Sequence, residues 1–132
     1  MEPTAASSAQ PIDLQEKFAQ FSDTWSPKVI ARLNDYEIKL ARLDGEFVWH
    51  SHADTDELFL VIAGNLTIQL EPADGGAVEL RAGQLYVVPR GVRHCPKADG
   101  EVLAMLIEPA GVVNTGDAGG ELTASYDDSL AG

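Results

Sequence analysis

The chain has 132 residues, a length that supports one domain with one hydrophobic core. Its formal net charge of −12 argues against nucleic acids, whose binding requires lysines and arginines facing phosphates, and against anionic membranes. We therefore expect neither a nucleic-acid partner nor a membrane partner. No apolar run approaches the roughly 20 residues of a membrane helix, and the N-terminus lacks the pattern of a secretory signal. These features favour a cytoplasmic protein.

The N-terminal region, residues 1–27, is expected to contain little regular structure. The first eleven residues are rich in Ala, Ser, Pro and Thr, which is typical of a mobile arm. Asp13 followed by Glu16 resembles a helix N-cap, and apolar residues at positions 14, 18 and 21 have helical spacing. We predict a short amphipathic helix over about 13–21.

From residue 28 onward the pattern predicts an antiparallel all-β domain, because short apolar runs alternate with turn residues such as Asp44-Gly45 and Asp99-Gly100. The predicted strands cover residues 28–33, 36–43, 46–51, 57–63, 66–71, 77–80, 84–88 and 101–107, with a short strand near 94–97. Many short strands indicate a sandwich or a barrel over 28–108. The glycine-rich remainder, 109–132, is predicted to be an irregular tail that packs in part on the barrel.

The three histidines of the chain fall where they could share one metal ion. His50 and His52 are two residues apart, so on a strand both imidazoles point to one face while Ser51 points away. Glu57 follows closely, and His94 comes later in the chain. Imidazoles with a carboxylate are a typical ligand set for a divalent transition metal. The alternative, histidines scattered by chance on the surface, is less compatible with this spacing.

The single cysteine excludes an internal disulfide. Cys95 follows His94 directly. If His94 points into a site from a strand, Cys95 points to the other face, so we expect a small buried residue rather than a metal ligand.

Two groups of residues resemble the motifs of the cupin family. The first motif is a glycine, an HxH pair, a glutamate and a second glycine, and it is matched by Gly45, His50, His52, Glu57 and Gly64. The second motif combines two glycines, a proline and a histidine, and it is matched by Gly83, Pro89, Gly91 and His94. The gap between Gly45 and His50 is one residue shorter than the common family form, and Ala98 stands where the family has an asparagine.

The resemblance implies a single jelly-roll β-barrel, preceded here by the short helix, that holds one divalent ion of Mn, Fe, Ni, Zn, Co or Cu. The implied ligands are His50, His52, Glu57 and His94. The pattern of residues supports this implication, because Glu57 shares a strand face with Phe59 and Val61, which would fill the barrel interior. An ordinary solvated carboxylate beside Asp54 and Asp56 is the alternative for Glu57.

Further candidates surround the implied site. The weak catalytic candidates are Tyr86, Arg90 and Glu108. Other side chains that could lie at the open end are Tyr36, Arg93 and Asn114. An arginine there would suit a carboxylate substrate, and a carboxyl group could act as a general acid or base. Trp49 is expected to face away from the metal and pack in the core or an interface, and Phe47 to share its orientation.

Fold and ligands do not select one reaction. Our first hypothesis is a metal-dependent isomerase or lyase that acts on a small polar metabolite such as a sugar, keto acid or hydroxy acid. A dioxygenase ranks lower, because an aromatic substrate needs a larger hydrophobic pocket than a short chain easily encloses. A non-catalytic ligand-binding or sensory protein and a structural zinc site are the alternatives. By resemblance we also expect a homodimer, paired through the apolar face of the strands over 28–43.

Overall fold

The structure is a computed structural model that describes residues 10–125 and 128–130. Within these residues it contains a short helix followed by an all-β domain, as predicted. The elements are helix α1 (Leu14–Phe18) and strands β1 (Lys28–Leu33), β2 (Tyr36–Glu46), β3 (Glu57–Ala63), β4 (Asn65–Leu70), β5 (Ala77–Arg81), β6 (Leu85–Val88) and β7 (His94–Pro109), with a 3-10 turn at Pro72–Asp74. Most of the predicted N-terminal arm and part of the predicted tail, including residues 126–127, lie outside the described residues.

Helix α1 is shorter than predicted. Asp13 caps its N-terminus, where Oδ1 accepts a hydrogen bond from the backbone nitrogen of Glu16 at 3.1 Å. The regular helix ends at Phe18, although the apolar spacing extended to Phe21. The side chain of Arg42 donates hydrogen bonds to the carbonyl oxygens of Phe18 at 2.8 Å and Phe21 at 2.9 Å, so strand β2 satisfies groups that a longer helix would have bonded internally.

The strands form a single sheet that builds a jelly-roll β-barrel. Its order is β1-β2-β7-β3-β6, with β4 pairing both β7 and β5. Strand β7 is the longest and pairs antiparallel with β2, β3 and β4. The core inside the barrel includes Leu43, Phe59, Val61, Leu66, Ile68, Val102 and Leu106. Across the described residues no helix is long and apolar enough to span a membrane.

The separate strand predicted over 46–51 is wrong. Strand β2 continues through the expected turn at Asp44-Gly45 as far as Glu46. Residues 47–49 then belong to no strand, and residue 50 forms only an isolated bridge to His94. The short apolar run with alternating character therefore belongs to an irregular connection that runs beside the start of β7, where Phe47 donates to the carbonyl oxygen of Pro96 at 2.9 Å.

The turn predicted at Asp99-Gly100 is also wrong, because β7 passes through it. The pairing of β7 with β2 shifts between Leu43–Val102 and Gly45–Ala98, which leaves residues 99–101 without a β2 partner. This shift is a β-bulge, and Gly100 has a φ of +80° within it. A bulge and a turn both require a residue that accepts positive φ, so the same signal predicts either.

Gly64 lies in the β3–β4 turn, where the backbone of β7 leaves no space for a side chain. It has a φ of +90°, and a Cβ atom added there would lie 2.7 Å from the carbonyl oxygen of Glu101. We expect Gly64→Ala to lower the free energy of unfolding by about 2–4 kcal/mol, from backbone strain and overpacking together. Urea unfolding measures the loss. The matched control is Gly83→Ala, because Gly83 has a φ of +86° with no heavy atom within 4 Å of an added Cβ. Equal losses in the two variants would contradict a role for the contact with Glu101.

Candidate metal centre

Backbone hydrogen bonds join the two chain segments that carry the histidines. The backbone nitrogen of His50 donates to the carbonyl oxygen of His94 at 3.0 Å, and the nitrogen of His94 donates to the carbonyl oxygen of His50 at 2.8 Å. The nitrogen of Gly91, which has a φ of +79°, donates to the carbonyl oxygen of His52 at 2.8 Å. Residues paired in this way direct their side chains to the same face. The connection at 50–52 and the start of β7 are therefore held side by side.

The structure brings the four implied ligands together. His50, His52, Glu57 and His94 are all buried, and one ligand atom from each lies within 4.8 Å of the others. Two ligand atoms on opposite sides of a metal ion are about 4.2 Å apart at usual coordination distances. The cluster could therefore hold a metal ion. The rings of His50 and His52 are 5.0 Å apart between centroids, so they do face one site even though their segment is not a regular strand.

The hydrogen bonds of two histidines fix which ring nitrogen faces the cluster. Nδ1 of His50 lies 2.9 Å from the carbonyl oxygen of Val48, and Nδ1 of His94 lies 2.9 Å from that of Val92. A carbonyl oxygen only accepts, so both Nδ1 atoms carry the hydrogen. The Nε2 atoms are left to face the site, and this backbone anchoring is the outer support that metal-binding histidines usually have.

Buried nitrogens at the centre of the cluster fit a cation. Within the described residues, Nε2 of His50 and Nε2 of His52 have no hydrogen-bond partner. Nε2 of His52 lies 3.2 Å from Oε1 of Glu57, which is an ion-pair distance without the alignment of a hydrogen bond. Burying polar atoms without partners is costly. A divalent ion would satisfy both nitrogens and the carboxylate at once.

The electrostatics of the cluster favour the protonation states that metal ligands need at His50 and Glu57 but not at His52. Burial and the nearby His94 lower the pKa of His50 to about 4, so this imidazole is neutral at pH 7. Burial opposes ionisation of Glu57, but its close contacts with His52 and His94 outweigh burial and lower its pKa to about 2. Burial likewise opposes protonation of His52, whose pKa is nevertheless raised by the Glu57 carboxylate. Glu57 is thus ionised, and a metal ion would compete with a proton for His52.

A narrow inner cavity of about 30 Å³ lies beside the cluster. His50 and Glu57 form part of its wall, and Glu108 and Asn114 add two further polar side chains. The rest of the lining is apolar and consists of Trp25, Pro27, Ala41, Leu43, Phe47, Phe59, Pro96 and Leu106. A mainly apolar cavity with a few polar groups is the usual form of a small-molecule site.

The predicted orientation of Phe47 is wrong. Phe47 is buried, lines the inner cavity and packs its ring edge-on against His50 with centroids 5.4 Å apart. Trp49 is half-buried on the other side, where the guanidinium of Arg93 lies 5.9 Å from its ring centroid. Strand alternation does not apply here, because residues 47–49 are not in a strand.

Trp25 is a cavity residue that sequence reasoning missed. Its ring stacks on Phe47 with centroids 4.5 Å apart, and its Nε1 donates to the carbonyl oxygen of Asp44 at 2.9 Å. Its φ of +58° is unusual for a bulky residue and costs about 1–3 kcal/mol. It lies in a connection without periodicity before β1, so no pattern in the sequence pointed to it.

Of the three weak catalytic candidates, Glu108 lines the inner cavity and the other two do not. Tyr86 packs against the hydrophobic core from β6. The side chain of Arg90 is exposed, while its backbone nitrogen donates to Oδ1 of Asp56 at 2.8 Å. Asp56, expected on the loop surface, therefore also ties the connection after the HxH pair to the turn before β7.

Of the other side chains expected at the open end, one lines the inner cavity and two do not. Asn114 lines the inner cavity, whereas Tyr36 and Arg93 do not. Tyr36 is exposed, and Arg93 lies beside Glu71 at 3.4 Å. Cys95 is buried and unpaired, and burial raises the pKa of its thiol to about 11, in keeping with the expected inert residue.

The segment after β7 supports the HxH pair from behind. Oδ1 of Asp117 accepts a hydrogen bond from the backbone nitrogen of Ser51 at 2.8 Å, and the nitrogen of Asp117 donates to the carbonyl oxygen of Ser51 at 3.2 Å. A Cβ atom added to Gly116 would clash with that same oxygen and lie 3.0 Å from Cδ2 of His50. These contacts fix Ser51 between two implied ligands. No pattern in the sequence of the tail predicted that it supports Ser51.

A jelly-roll barrel with three histidines and a glutamate clustered at a cavity defines a cupin-type protein. The family model described as the cupin domain matches residues 39–108, and the chain belongs to this family. The matched region runs from within β2 to Glu108, so it includes all four clustered residues.

Three known proteins show how far the similarity extends. The uncharacterized protein YdbB of Bacillus subtilis (strain 168) is 37% identical over 82 residues, which cover 62% of this chain and 65% of YdbB. This chain thus spans slightly less than two thirds of that relative. A cupin-2 domain containing protein from Shewanella frigidimarina NCIMB 400 is 47% identical over 77% of this chain and 97% of its own, with a TM-score of 0.73. Protein NMB1881 from Neisseria meningitidis is 30% identical over 76% and 99% of the two chains, with a TM-score of 0.67.

The contact between Asp117 and Ser51 generates a prediction about metal affinity. Asp117→Ala is expected to weaken Co²⁺ binding about tenfold or more, because the backbone between His50 and His52 loses its support. Competition with a chelator dye measures the affinity. Asp54→Ala is the matched control. It removes an equal charge from an exposed position in the β2–β3 connection, which carries His50 and His52. Equal weakening in both variants would mean that long-range charge, not backbone support, sets the affinity.

Proposed function

We propose that the protein binds one divalent transition metal ion through His50, His52, Glu57 and His94 and acts as a metal-dependent enzyme on a small molecule. The observation that carries this proposal is the pair of buried Nε2 atoms, on His50 and His52, that face a buried carboxylate without hydrogen-bond partners of their own in the described residues. We place the ligand of this ion at the inner cavity beside them, which His50 and Glu57 help to line. Four protein ligands leave one or two positions of a five- or six-coordinate ion for that ligand.

An ion in this site would polarise a carbonyl or hydroxyl group, which is the chemistry of an isomerase or lyase. The protein's own residues contribute orientation and exclusion of water. Trp25 and Phe47 form a stacked wall beside His50, and Phe59 packs near His94 with ring centroids 6.3 Å apart. An apolar wall strengthens electrostatic interactions at the reacting group.

A dioxygenase is the second candidate, and the lining of the inner cavity favours it. The length of the chain predicts that it does not easily enclose a large hydrophobic pocket, which favours an isomerase or lyase. The cavity is nevertheless lined mainly by apolar and aromatic side chains. Iron bound by imidazoles and a carboxylate supports oxygen chemistry, whereas nickel, manganese or zinc would support the isomerase or lyase reaction.

Replacing His94 tests the metal-dependent function. His94→Ala is expected to bind Co²⁺ at least tenfold more weakly and to lose turnover, while circular dichroism shows a retained barrel. Elemental analysis gives the metal content. Protein reconstituted with Fe²⁺, Mn²⁺, Ni²⁺ or Zn²⁺ is assayed on a panel of hydroxy acids, keto acids, sugars and phenols, with oxygen uptake recorded for the iron form.

The matched control for this experiment is Cys95→Ala, which changes the next residue of β7 on the opposite face. It should retain both metal and turnover. Activity that persists in metal-free protein would refute the enzyme proposal. Tight ligand binding without turnover in any metal form would instead identify a non-catalytic binding or sensory protein.

We further infer a homodimer that pairs through the β1–β2 region. Leu33 and Tyr36 at the β1–β2 turn are 57% and 43% exposed, which is high for large apolar side chains. Light scattering is expected to give twice the mass of one chain. A mass near that of a single chain would overturn this inference, and Leu33→Lys should lower the mass of a dimer towards it.

A further inference from the structure

Glu108 occupies an unusual position at the end of β7. Its side chain is buried with 3% of its surface exposed, and it lines the inner cavity together with His50 and Glu57. Oε2 accepts a hydrogen bond from Nζ of Lys39 at 3.2 Å. Oε1 is buried and has no hydrogen-bond partner among the described residues. A buried carboxylate oxygen of this kind is costly unless something else binds it.

Apart from the implied metal ligands His50 and Glu57, the other polar side chains that line the inner cavity already have partners. The amide nitrogen of Asn114 donates to the carbonyl oxygens of Trp25 and Leu122, and its amide oxygen accepts from the nitrogen of Ala124. The indole nitrogen of Trp25 is bonded to β2, and His50 and Glu57 belong to the metal cluster. Among these lining side chains, Oε1 of Glu108 is therefore the polar atom left for a ligand.

The ionised form of Glu108 is supported from the side opposite the cavity. Lys39 is itself buried, and its ammonium group lies 3.2 Å from Glu108 and 3.7 Å from Glu37. Burial and the charge of Glu57 raise the pKa of Glu108 to about 7, against the effect of Lys39. Beside the ammonium group of Lys39, the Glu108 carboxylate presents to the cavity an oxygen that accepts hydrogen bonds.

We propose that the ligand of the inner cavity is a compact, largely apolar molecule that donates a hydrogen bond from a hydroxyl, amide or amine group to Glu108 while one of its oxygens reaches the metal ion. This inference rests on the proposed function and adds the substrate class and the residue that recognises it. Glu108 selects against a phosphate or second carboxylate at this position, because two anions would meet in a buried space. The apolar walls select against a fully hydroxylated sugar, whose other hydroxyl groups would lose their hydrogen bonds to water.

A structural role for Glu108 makes a different prediction. As a counter-ion for Lys39 it would resemble Glu37, which is equally buried at 3% exposure, contacts the same ammonium group and also has an unpartnered Oε1. Glu37 does not line the inner cavity. Glu37→Gln is therefore a matched control for Glu108→Gln, because both remove one carboxylate from Lys39 and only the second changes the cavity wall.

The test uses Co²⁺-loaded protein and hydroxamic acids as probes. Acetohydroxamic and benzohydroxamic acid bind a metal through two oxygens and carry one N–H donor, and each is compared with its N-methyl derivative, which lacks that donor. Binding is followed through the visible absorption of the bound Co²⁺. In wild-type protein we expect the N–H form of at least one pair to bind about tenfold more tightly, and the benzo compound more tightly than the aceto compound.

Glu108→Gln is expected to reduce the N–H preference about tenfold. Its amide oxygen must accept from Lys39, so its NH₂ group turns toward the cavity and meets the N–H of the probe as a second donor. Glu37→Gln should keep the wild-type preference. The quantity compared is the ratio of the affinities for the N–H and N-methyl forms. The steric effect of the methyl group is common to wild type, Glu108→Gln and Glu37→Gln, so it cancels when their ratios are compared.

The possible failures are distinguishable. Loss of Co²⁺ binding, or Co²⁺-loaded protein that binds no hydroxamate, overturns the proposed function and this inference with it. Hydroxamates that bind with the same N–H preference in wild type and Glu108→Gln overturn the inference alone, as does an equal loss of preference in Glu37→Gln. If Glu108→Gln does not fold, the wild-type ratio decides, because no preference for the N–H form in either pair contradicts a ligand donor facing Glu108.

Discussion

The exchange of two backbone hydrogen bonds between His50 and His94 is the interaction on which the site depends. His94 begins β7, and β7 is paired with β2, β3 and β4, so the whole barrel fixes its position. His50 belongs to a connection without regular structure and takes its position from this bridge. A slip of one residue in the register of β7 would turn His94 to the outer face. The β2–β3 connection that carries His50 is therefore positioned by β7, which is itself held by three neighbouring strands.

The barrel tolerates several local costs close to this bridge. Trp25 has a positive φ, Lys39 is buried between two carboxylates, and Glu108 keeps an unpartnered oxygen in the cavity wall. Each departs from what stability alone would favour, since buried ion pairs and unsatisfied polar atoms add little to folding. All three lie in or next to the inner cavity or its wall. Such a concentration of costs is characteristic of a binding or catalytic site.

The sequence was most informative where chemistry requires a particular residue at a fixed spacing. The three histidines and Glu57 follow from such requirements. Strand boundaries were less predictable, because Asp99-Gly100 serves a bulge as well as it would serve a turn. Supports such as Trp25 and Asp117 were unpredictable for a different reason. They reach the site through tertiary contacts from irregular segments, where no periodicity reports on which face a side chain occupies.

The inner cavity has an aromatic wall that the sequence did not predict. Strand alternation gave Phe47 the orientation of Trp49, away from the metal, whereas Phe47 lines the cavity. With Phe47 stacked on Trp25 and edge-on to His50, the two sides of the cluster differ in character. His50 and Glu57 face the apolar inner cavity, while His52 faces an outer groove that contains Asp54 and Asp117. A ligand with an apolar body is therefore favoured on the inner side, and charged groups and water on the outer side.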